Sequence, residues 1–211
     1  MKPLLIILLL TTLTLAAWAL WQRHRRMVLE RERLIRAVRI PPAALQSLEQ
    51  AYPHLSLRDV QLVARALRQF FLVHARAGRG VVVMPSKAVD ALWHGFILDT
   101  RAYGQFCQQA FGRFFHHIPE NGMQARDDRG AATWRTWRLA CLEENINPAK
   151  ATRLPLLFAI DVKLGIPGAI AHDPASFKPP EGDSSGGDGC GGGSDGDGGG
   201  DGCGGGCGGG E

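Results

Sequence analysis

Residues 89–119 read VDALWHGFILDTRAYGQFCQQAFGRFFHHIP, and their apolar spacing decides the fold class. Val89, Leu92, Trp93, Phe96 and Ile97 recur three and four residues apart, which places them on one face of a helix with Asp90 and His94 along its flank. Pro85-Ser86 marks the start of that helix. Thr100 is placed to cap a second helix, on which Tyr103, Phe106, Cys107, Ala110 and Phe111 share a face before Gly112 supplies a stop.

The same period extends outward in both directions. Upstream, Ser56 can cap a helix with Asp59 at its third position. Val60, Val63, Ala64, Leu67, Phe70 and Phe71 then form a stripe opposite Arg58, Gln61, Arg65 and Arg68, until Gly78 and Gly80. Val81–Met84 is β-branched and short, and a lone strand has nothing to pair with, so it reads as a linker. Downstream, a helix after Asp127-Asp128 buries Trp134, Trp137 and Cys141 and ends near Asn147-Pro148. A last short helix runs from Pro155 to Leu164, with Gly165 behind it and Leu156, Leu157, Ile160 and Asp161 inside.

The two ends of the chain differ from this middle. Pro3 to Trp21 carries no charged residue, and a helix of that length covers about 28 Å, close to a bilayer's hydrocarbon thickness. Arg23, Arg25, Arg26, Arg31, Arg33, Arg36 and Arg39 come next, a cluster that tends to stay on the cytoplasmic side. Residues 1–22 are therefore expected to be an uncleaved transmembrane anchor rather than a cleaved signal peptide, and residues 23–41 a basic juxtamembrane helix. At the other end, Glu181 to Glu211 holds seven acidic residues and no basic one, so a net charge of +4 conceals about +11 on the rest of the chain. Glycine dominates there, which leaves too little apolar surface for a core.

The expected fold is thus mainly α. It comprises a single N-terminal membrane span, a compact bundle of about five helices over residues 42–172, and a disordered acidic Gly/Cys-rich tail over residues 173–211. The bundle faces the cytoplasm, the membrane is its first partner, and a protein partner of undefined identity is its second. No nucleic acid is expected, because Trp134 and Trp137 fall at core spacing.

Residues 89–119, with weaker support from 154–168 (LPLLFAIDVKLGIPG), resemble the glycine-rich domain-containing protein-like family. The resemblance implies a helical domain built around an Asp-x-x-Trp-His helix, a Tyr/Cys helix and a closing histidine. It implies no known reaction.

The sharpest chemistry is a metal site from His94, Cys107 and His116 or His117, with Asp90 as a fourth ligand or as the group that orients His94. Asp90 and His94 stand one helical turn apart. A thiolate, one or two imidazoles and a carboxylate suit zinc, the one cofactor the sequence points to. Against it, no compact ligand motif is present, and Cys107 among aromatic residues also reads as a small core hydrophobe. Cys190, Cys203 and Cys207 in the tail match no zinc ribbon, though flexible thiolates beside carboxylates hold soft metals loosely. The tail's Asp-Gly pairs lack the ligands of a calcium loop.

Among catalytic motifs there is no Gly-x-Ser-x-Gly elbow, phosphate loop or dinucleotide fingerprint, which leaves only a Cys107 nucleophile activated by His94 or His117. A non-enzymatic binding or scaffold module is the first expectation. A metal-binding protein or metal-dependent enzyme using the His94/Cys107/His117 region is the alternative.

Overall fold

The computed structural model describes residues 2–117 and 126–179. Among these residues seven α-helices succeed one another as α1 (Lys2–Ala37), α2 (Pro42–Ala51), α3 (Leu57–Ala77), α4 (Lys87–Leu98), α5 (Thr100–Phe111), α6 (Arg126–Glu143) and α7 (Leu156–Lys163), with a 3-10 turn at Pro174–Ser176. There is no strand among the described residues, and Val81–Met84 is an extended connection as its isolation requires.

The central element is α3, which packs against α1, α2, α4, α6 and α7. Its start is fixed by a reciprocal pair. The Asp59 N–H donates to Ser56 Oγ at 3.3 Å and the Ser56 N–H to Asp59 Oδ2 at 2.9 Å, so two otherwise orphaned donors are satisfied. The Ser56 hydroxyl, which donates to Asp59 Oδ2 at 2.7 Å, and the Ser56 N–H together hold the Asp59 carboxyl below the usual carboxylate range. Val63, Leu67, Phe70 and Phe71 are fully enclosed, and Gly78 ends the helix at φ 61°, a value that favours glycine. The start of α5 departs from the expectation by one residue: Asp99 is the cap, accepting from the Ala102 N–H at 3.2 Å, and Thr100 is already helical.

The N-terminus requires a correction. Among the described residues no helix is long and apolar enough to cross a membrane. The membrane span over residues 1–22, the membrane as partner and the cytoplasmic-facing single-pass topology that rested on it are not carried by this structure. The apolar run is broken by Thr11, Thr12 and Thr14, and the hydroxyls of Thr12 and Thr14 fold back onto the carbonyls of Leu9 and Thr11 at 2.9 Å. The helix continues without a break through the arginine cluster to Ala37, and its last turns belong to the domain. Ile35 is fully buried, Arg36 reaches Glu143 at 2.6 Å, and Arg76 of α3 bridges Glu32 and Glu143 at 2.9 and 2.5 Å. Of the arginine cluster, Arg36 thus spends its charge on α6.

Pro41-Pro42 opens α2, an element that the apolar period did not disclose, and α2 crosses α4 at very close range. A Cβ placed on Gly95 would lie 2.9 Å from Ala44 Cα and 3.2 Å from Ala44 Cβ. Gly95→Ala is therefore expected to destabilise the protein by about 1–3 kcal/mol despite alanine's better helix propensity, because the two backbones must part. A urea midpoint equal to or above that of wild type would show that α2 yields without cost.

Two carboxylates tie the short helix α7 in place. Asp161 is buried at the start of α4 and accepts from Ser86 Oγ at 2.6 Å, the Lys87 N–H at 2.6 Å and the Ala88 N–H at 3.3 Å, the donor set and dipole end that suit an anion. Glu144 and Gln69 take the first N–H groups of α7, from Leu156 at 2.5 Å and Leu157 at 2.9 Å. Beyond α7 the chain packs back on the domain at Phe177, whose ring stacks on Trp137 at 4.1 Å. The tail expectation from residue 180 onward, with Cys190, Cys203 and Cys207, lies outside the described residues.

Candidate metal centre

Asp90 and His94 lie on the same side of α4, and their pairing is local. His94 Nδ1 stands 2.9 Å from the Asp90 carbonyl oxygen and 3.2 Å from Asp90 Oδ2. His117 arrives from a distant part of the chain. Gly112 caps α5 in the left-handed region at φ 72°, and the segment behind it turns back across α4. Its anchor is Phe115, stacked on His74 at 3.5 Å and on Trp93 at 4.9 Å.

A hydrogen-bond relay fixes that anchor: Trp93 Nε1 donates to the Tyr103 hydroxyl at 3.0 Å, which donates to the Phe115 carbonyl at 2.6 Å. Two residues later, His117 Nε2 is set 2.9 Å from Asp90 Oδ1, with its ring 4.2 Å from that of His94. Asp90 thus gives one carboxylate oxygen to each imidazole.

One ligand atom from each of Asp90, His94 and His117 lies within 4.8 Å of the others. Donors bound to one zinc at about 2.0–2.2 Å stand roughly 3.0–3.5 Å apart, so the observed spacings need only a small adjustment to accept an ion. The chemistry of the set fits as well. Two borderline imidazoles and one hard carboxylate suit zinc or iron(II), and three protein ligands leave coordination positions open. The side chains are one-fifth to one-half exposed, so an ion has a route in.

The other residues expected in the site fall elsewhere. Cys107 is fully buried beside Tyr103 and the Phe115 backbone, and burial pushes its thiol up, so it is a neutral core group. A low-pKa, accessible nucleophile would need the opposite surroundings. His116 is exposed, with its ring against Phe114 at 4.8 Å, and is not one of the three grouped residues.

The cluster forms part of the wall of a cavity of about 1010 Å³, with Met84, Trp93, Phe115 and Phe158 among its apolar walls. Two further histidines, neither of them marked by the sequence pattern as a site residue, also line it. His74 is 7 % exposed, and burial, aided by the nearby Arg113 charge, lowers its pKa to about 4. His172 is likewise held down by burial, against the pull of the Pro85 carbonyl and Asp161. Buried His74 Nδ1 and His172 Nε2 have no hydrogen-bond partner. A signal for His74 existed: it continues the apolar stripe of Val63, Leu67 and Phe70 on the core face of α3.

Fold and site together define a mainly helical protein with a two-histidine, one-carboxylate cluster opening onto a large cavity. The chain belongs to the UCP032817-like family, whose model matches residues 30–192. This corrects the resemblance to the glycine-rich domain-containing protein-like family. The match takes in all three clustered residues and begins where α1 enters the domain. No curated protein and no solved structure matches the chain.

Proposed function

We propose that this is a metal-dependent small-molecule-binding protein in which Asp90, His94 and His117 hold one divalent ion, zinc or iron(II), at the wall of the cavity. The observation that carries the reading is the convergence of two histidines, 23 residues apart in sequence, on the two oxygens of a single carboxylate beside that cavity. The donor set resembles that of reactive centres more than closed structural sites, because three protein ligands leave room for water or a ligand oxygen, which the ion would polarise. The binding module expected from the sequence becomes, on this reading, one that holds a small ligand.

The test is metal binding by the full chain carrying Cys190→Ser, Cys203→Ser and Cys207→Ser, which removes the tail thiols as competing ligands. Elemental analysis and zinc titration are expected to give one ion per chain. His117→Gln and Asp90→Asn should each lower zinc affinity 10-fold to 100-fold or more, while His116→Gln leaves it unchanged. Zinc at 100 times its dissociation constant should stabilise the parent by about 2.7 kcal/mol. Melting that responds to neither zinc nor chelator would end the metal reading. Asp90 would then be a clamp that fixes the 113–117 segment on α4.

A further inference from the structure

We infer that the cavity takes an organic oxyanion, a compact apolar body bearing a carboxylate or phosphate, recognised by Arg79, Lys87 and Arg113; this rests on the metal reading, since the ion would add to the same positive field. The charges of the cavity differ in how well they are matched. Among the described residues its carboxylates are Asp90 and Asp161. Asp90 is engaged by two imidazoles, and Asp161 accepts three hydrogen bonds from the start of α4. Neither forms an ion pair with Arg79, Lys87 or Arg113.

Three of the cavity's cations are in the opposite condition. Arg79, Lys87 and Arg113 all line the cavity, and none forms an ion pair among the described residues. Arg113 donates to the Gly78 carbonyl, a neutral acceptor that leaves the guanidinium charge uncompensated. Lys87 lies along Gly168, its Nζ 2.6 Å from where a Cβ would stand, so the missing side chain gives the ammonium its place at the wall. His74, whose pKa is lowered by burial and by the Arg113 charge, is neutral and adds no charge of its own.

The rest of the wall sets the ligand's body. Phe70, Trp93, Phe115 and Phe158 offer aromatic faces, and a space of about 1010 Å³ admits a molecule of metabolite or drug size. Apolar walls with a few uncompensated cations select an amphipathic anion over a neutral molecule of the same shape, since the neutral one gains the packing without the charge.

Benzoate, phenyl phosphate and benzyl alcohol present one ring with three headgroups. Calorimetric titration of the full chain, with its tail thiols replaced as above, both zinc-loaded and chelator-treated, is expected to show the two anions binding at least 10-fold more tightly than the alcohol. The gap should narrow as salt rises from 0.05 to about 0.5 M, because these side chains are open to screening. Arg79→Gln with Lys87→Gln should cut anion affinity 10-fold or more while leaving zinc affinity and benzyl alcohol binding unchanged. A tighter phenyl phosphate identifies a dianionic headgroup, and a tighter benzoate a carboxylate. Zinc uptake with no preference among the three ligands overturns the anion assignment and leaves the metal site standing. Should zinc fail to bind, the metal reading falls, and the chelator-treated titration and its salt dependence decide the anion site alone. An anion preference indifferent to both salt and the double substitution also overturns it.

Discussion

Trp93→Ala is expected to lower the unfolding free energy by about 3–5 kcal/mol, the cost of truncating an enclosed tryptophan and a large part of the stability of a domain this size. Trp93 is 3 % exposed and sits between α3 and the segment that carries Phe115 and His117. Its ring lies 5.2 Å from Phe70 of α3, 4.9 Å from Phe115 and 4.8 Å from His117, and its N–H begins the relay through Tyr103 to the Phe115 carbonyl. Removing it therefore empties core volume and takes away the backing of the segment that delivers His117.

Two measurements separate these effects. Trp93→Phe keeps much of the ring and loses the N–H, so it should cost less than Trp93→Ala in urea unfolding and still weaken zinc binding through the slackened relay. The alanine variant should be impaired in both. Unchanged unfolding of Trp93→Ala would mean that the aromatic stack carries no load, and unchanged zinc affinity of both variants that His117 is positioned independently of it.

How legible each feature is in the sequence depends on how local its interactions are. The Ser56/Asp59 cap, the Gly112 stop and the Asp90/His94 pairing each involve residues within one turn, and helical geometry is enough to place them. The arrival of His117 over Asp90 depends on a left-handed glycine and, beyond it, on the stacking of Phe115 between His74 and Trp93, contacts that no periodicity encodes. Residue type alone draws Cys107 into the metal set. Its neighbours Tyr103, Phe106 and Ala110 already mark that face as core, and the structure buries it there. At the N-terminus, the uncharged stretch to Trp21 suggests a separate element only when it is taken without the residues behind it. The helix is one piece to Ala37, and its last turns are held by Ile35 in the core and by ion pairs with α3 and α6.

The stability of the protein is expected to fall by about 2 kcal/mol between pH 7.5 and pH 5, and His74 is the main cause. In the unfolded chain its ring takes up a proton near pH 6.5, whereas in the folded protein burial and the Arg113 charge delay this to about pH 4. Between those values the unfolded state binds more protons, so lowering the pH favours unfolding. The contribution is intact above pH 6.5 and is lost progressively as the pH drops toward 4. His172, whose pKa is lowered by burial, acts in the same direction. Asp59 and Glu144 are carboxyls held below their usual range, so their contributions are lost mainly at more acidic pH and leave the window above pH 5 to the histidines. His74→Leu should flatten most of this slope. At pH 7.5 it should cost little or even stabilise, because it replaces a buried ring whose Nδ1 has no partner with an apolar group among Phe111 and Phe115. The check is urea unfolding of both proteins at the two pH values. A slope that survives in His74→Leu would place the titrating group elsewhere.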